Sequence, residues 1–162
     1  MLFWPKKKKA KALFEAGLKA KGIDDRLDVP VAIMIPMVSM MWADRTRHSA
    51  EIDCIHAICT SSPIFLKPSR SHIDGWIAEA DKFIREDCGS DETACRRANE
   101  VLTKPLRETA YAFAVKVLFA DEKVTETEKL RANQLADWLQ VDHSLASDIV
   151  KVISILRHGR DG

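Results

Sequence analysis

The stretch Ala120-Asp121-Glu122-Lys123-Val124-Thr125-Glu126-Thr127-Glu128 constrains the fold more than any other part of the chain. An apolar run, Tyr111 to Phe119, leads into it, and an amphipathic run, Leu130 to Leu139, leads out. Thr125 and Glu128 have the spacing of a capping box. The Thr hydroxyl accepts from the backbone N–H three residues on, and the Glu carboxylate accepts from the Thr backbone N–H. The stretch therefore reads as helix, aspartate, short turn and capped helix. The same arrangement stands earlier in the chain. Ala43-Asp44 follows the apolar run Val31 to Trp42, and Glu51 lies seven residues after Asp44, as Glu128 lies seven after Asp121. At an offset of 77 positions Val38 falls on Val115, Met41 on Leu118, Trp42 on Phe119 and Ile58 on Leu135. The expectation is two divergent copies of one helical hairpin unit.

A chain of 162 residues is one domain or two small fused halves, long enough to bury a core. With only 6 Gly and 6 Pro it reads as an ordered helical protein. A formal charge of +1 leaves no global electrostatic footprint for nucleic acid. No apolar run approaches the ~18 residues of a membrane-spanning helix. The basic residues near the start are not followed by the apolar region of a secretory signal. Cys54, Cys59, Cys88 and Cys95 form no Cys-x-x-Cys pair, so reduced thiols and a cytoplasmic location are expected.

Along the chain, Leu2, Phe3 and Trp4 precede the lysine run Lys6 to Lys9. Either the apolar residues tuck into the domain with the lysines solvated, or the segment rests on an anionic membrane surface, peripherally at the inner face. Val29-Pro30 opens the first long apolar segment, in which Pro36 should kink a helix or mark its first turn. Met34, Met37 and Met41 recur at helical spacing beside Trp42. Such a stripe is ordinary core or the lining of a pocket for an apolar ligand or peptide. Ser49 to Cys59 reads as the next helix. His48, Cys54, His56 and Cys59 do not converge as zinc ligands at helical spacing. A further helix is expected from Ser71, as cap, to Cys88-Gly89, and another from a cap at Ser90 to a boundary at Lys104-Pro105. Leu106 to Ala120 is expected to be the central helix, and Ile149, Val152, Ile153 and Leu156 to bury the last one. Trp76, Phe83, Phe113, Val117, Leu135 and Ile153 are expected to share one core. No phosphate loop, nucleophile elbow, His-Glu-x-x-His or triad pattern occurs, so no enzyme is expected.

The apolar helix ending in Ala-Asp, followed by a turn and an acidic helix start (ADEKVTETE), resembles the TerB-like family of tellurite-resistance proteins. The resemblance runs from about Val31 to Arg157. That family usually has Gly directly after the Asp, where this chain has Arg45 and Glu122. The resemblance implies an all-α fold of about seven to eight helices in two pseudo-symmetric hairpin units. From the residues themselves, 1–28 is expected to be a basic, amphipathic segment and 29–162 the helical domain. The resemblance also implies a tellurite-resistance or stress-response role by binding rather than catalysis, with stress-response proteins as partners. A homodimer is a further expectation.

Two readings of Asp44, Glu51, Asp121 and Glu128 stand side by side. As structural groups they cap helices and turns, each cap contributing about 1 kcal/mol. As a site, oxygen-only ligands suit a hard divalent cation (calcium, magnesium or manganese).

Overall fold

The computed structural model describes residues 27–46, 49–121 and 123–158. Among these residues there are seven α-helices and no strand. They are α1 (Val29–Met41), α2 (Ser49–Ser61), α3 (Arg70–Lys82), α4 (Asp91–Val101), α5 (Lys104–Leu118), α6 (Glu126–Trp138) and α7 (His143–His158). A short 3₁₀ turn, Pro63–Phe65, follows α2, and a π-helical segment, Phe83–Cys88, extends α3. The all-α class is as expected. The calls on Met1 to Arg26, including the membrane contact, lie outside the described residues, as do His48 and Glu122.

The central helix is α1, not the expected Leu106 to Ala120 segment. Its sequence, VPVAIMIPMVSMM, carries no charge, and 12 of its 13 residues are buried. A helix apolar on every side has no solvent face to offer and must be surrounded. Helices α5, α3 and α4 pack against α1, with α6 and α2 completing its surroundings. Pro36 sits inside this helix and does not mark its start; Pro30 does. Pro36 cannot donate to the Ala32 carbonyl, and an interior Pro costs roughly 3 kcal/mol or more. Each fully buried Ile or Met returns about 1.5–3 kcal/mol, and Ile33, Met34, Ile35 and Met37 are all fully buried. Burial therefore outweighs the proline.

Local signals set the remaining boundaries. Ser69, rather than the expected Ser71, caps α3. Its hydroxyl accepts from the His72 backbone N–H at 3.2 Å and also meets His72 Nδ1 at 2.8 Å. Ile73, Ile77 and Ala80 lie on the buried face of α3. The helix ends through Gly89, whose φ of 75° is the left-handed conformation that suits glycine. Ser90 caps α4 by accepting from the Thr93 N–H at 3.1 Å. Pro105 lies in the first turn of α5. Asp142 opens α7, its Oδ1 accepting from the N–H groups of Ser144 and Leu145 at 2.9 and 3.2 Å.

The six residues expected to share a core do so. Phe83, Val117 and Leu135 are buried, and Trp76, Phe113 and Ile153 are partly buried against the same cluster. Phe65 joins them, 5.7 Å from the Trp76 ring and 6.1 Å from Phe113. The last helix differs from expectation. Ile149 and Ile153 pack inward, whereas Val152 and Leu156 are 55% and 75% exposed, together with Ile155 at 63%. All four cysteines are free thiols. Among the described residues, no helix is long and apolar enough to cross a membrane.

Candidate functional site

The two Asp-turn-Glu corners close with the same backbone bonds at the same offset. At the end of α1, the Trp42 N–H donates to the Val38 carbonyl at 3.1 Å and the Ala43 N–H to Met40 at 3.1 Å. At the end of α5, Phe119 donates to Val115 at 3.2 Å and Ala120 to Val117 at 3.0 Å. Each corner thus tightens into a final i to i−3 turn that delivers an aspartate just beyond the helix. Asp44 folds back locally, its Oδ1 accepting from the Thr46 N–H at 2.9 Å. Arg45 has φ 62°, the left-handed region. The turn thus takes a geometry that favours glycine while carrying an arginine.

The glutamates lie in the first turns of α2 and α6, and Glu51 and Glu128 are each only 2% exposed. Glu128 completes the capping box: its N–H donates to Thr125 Oγ1 at 3.2 Å, and the Thr125 N–H donates to Glu128 Oε2 at 2.9 Å. Burial pushes the Glu128 carboxyl above the usual carboxylate range. The Thr125 backbone N–H pulls it back in part, and the charges of Asp44 and Asp121 push it up again. Asp44 and Asp121 are thereby both within electrostatic reach of Glu128. The influence of Glu51 registers at Cys54, on its own helix, where it raises a thiol that burial has already raised more strongly. Among the described residues, no three His, Cys, Asp or Glu side chains stand in position to hold a metal ion as folded.

One contributor was not anticipated. Arg131, one turn beyond Glu128 on α6, reaches across to the last turn of α1. Its Nη1 donates to Ser39 Oγ at 2.7 Å and to the Ser39 carbonyl at 3.1 Å. Ser39 is fully buried, and its carbonyl belongs to the end of a helix, where backbone acceptors lack partners. A cation placed there satisfies that acceptor and matches the negative end of the helix dipole. The guanidinium also pairs with Asp91 of α4 at 3.3 Å and lies 5.5 Å from the Trp138 ring centre. Arg131 therefore ties the start of α6 to the end of α1, the two elements that carry Glu128 and Asp44. Its partner lies 92 residues away, so no local pattern could have revealed it.

The expected Met/Trp stripe divides. Met34 and Met37 are fully buried in the core. Met41 and Trp42 border a surface groove of about 400 Å³ with Asp74, Ile77, Ala78 and Asp81. Arg85, from the π-helical segment, lies 4.9 Å from the Trp42 ring centre and is held by Asp81 at 2.9 Å. The thiols have little nucleophilic character. Burial pushes Cys59 up to about 12 and raises Cys54, Cys88 and Cys95 as well, and the thiolate is the reactive form. Compared with protein families, with curated proteins and with solved structures, the chain matches none.

Proposed function

We propose that the chain is a non-catalytic, TerB-like protein of tellurite resistance or a related stress response, and that it takes a hard divalent cation at the corner of Asp44, Asp121 and Glu128, with Glu51 as the equivalent acid of the other copy. The observation that carries this reading is the environment of Glu128. It is a buried carboxylate that feels the charges of two further acids. Capping explains its bonds to Thr125, but not the approach of Asp44 from another part of the chain. A divalent cation would relieve the repulsion and favour the ionised forms. Calcium or magnesium would complete its coordination with water and backbone carbonyls, which both ions accept. The stress-response role rests on the ADEKVTETE resemblance alone.

The direct test is isothermal titration of calcium, magnesium and manganese into chelator-treated protein. Saturable binding that Asp121→Asn weakens at least tenfold supports the site. Heats indistinguishable from dilution for all three ions refute it. The physiological role is tested separately, by growth on tellurite of a sensitive bacterium expressing wild type or Asp121→Asn. A second reading, a binder of an apolar ligand or partner peptide, is favoured by the groove at Met41 and Trp42. Its volume lies within the range of small-molecule sites. Ligand-induced shifts of the Trp42 indole signal, with the acidic corner unaffected, would distinguish it from the first reading.

A further inference from the structure

We draw no further inference here: the strongest candidate, the outer face of α7 on which Val152, Ile155 and Leu156 stand exposed, is an unpartnered apolar stripe, and nothing in the structure shows what covers it.

Discussion

Replacing Arg131 with Ala should destabilise the protein by roughly 2–4 kcal/mol, since its partly buried guanidinium makes charge-assisted hydrogen bonds. The contributions can be taken one at a time. A hydrogen bond from a charged donor is worth about 1.5–3 kcal/mol. The bonds to Ser39 Oγ and to the Ser39 carbonyl share one nitrogen, so they count as one strong bond and a weaker second. With the guanidinium gone, both acceptors remain in a fully buried position that water does not reach. The Asp91 pair is partly solvated, its side chains being 18% and 31% exposed, and adds at most about 1 kcal/mol. Contact with the Trp138 ring adds about 0.5–1 kcal/mol. Lysine should recover little, because a point charge cannot reproduce the planar fork. Urea unfolding of wild type, Arg131→Ala, Ser39→Ala and the double variant gives the coupling between the two side chains, expected at about 1–2 kcal/mol. A loss under about 1 kcal/mol for Arg131→Ala, or additive effects in the cycle, would refute the claim that Arg131 caps α1.

Other consequences follow from the same corner. Arg45→Gly should stabilise the protein by up to about 1 kcal/mol, since a non-glycine residue in the left-handed region costs about 1–2 kcal/mol and glycine gives part of that back as chain entropy. A lower midpoint in urea for that variant would contradict the assigned turn. The pH response has a definite sign. The folded-state pKa of Glu128 is raised, so its contribution is fully present below the unfolded pKa and is lost as pH rises through the folded one. Gln can still serve in a capping box. Glu128→Gln should therefore flatten the fall in stability above about pH 4, where an unperturbed glutamate titrates, and should be no less stable than wild type at neutral pH in chelator. Parallel melting curves for the two proteins from pH 4 to 8 would remove the electrostatic basis of the site.

What the sequence disclosed was mostly local. Thr125 with Glu128, Ser90 with Thr93, Gly89 and Pro105 act within one turn of where they stand, so their spacing carries their structure. The matching bonds at Ala43 and Ala120 stand at the same 77-residue offset as the two Ala-Asp pairs of the sequence. The absence of charge from Val29 to Met41 marks the most enclosed helix, since a helix apolar on every side has to be surrounded. The cap of α3 falls on Ser69 and not on Ser71 because it is the Ser69 hydroxyl that meets the His72 N–H. The outward turn of Val152 and Leu156 was not legible, because a helix with apolar residues on more than one side does not declare which side finds a partner. Arg131 was invisible because its function depends on a helix end brought to it by the tertiary fold. The charges of Asp44 and Asp121 act on Glu128 across the fold, and Glu51 acts on Cys54 within its own helix.

The measurement that bears most directly on the proposed site is a thermal melt of chelator-treated wild type, Asp44→Asn and Asp121→Asn, each repeated with millimolar calcium, magnesium or manganese. A cation at a hundredfold excess over its dissociation constant stabilises by about 2.7 kcal/mol, or roughly 5–10 °C for a chain of this size. The account predicts such a rise for wild type with at least one of the ions, its loss in both variants, and melting of the variants in chelator no lower than wild type. An unchanged wild-type midpoint with all three ions would contradict it and leave Asp44, Glu51, Asp121 and Glu128 as groups that serve the helix ends alone.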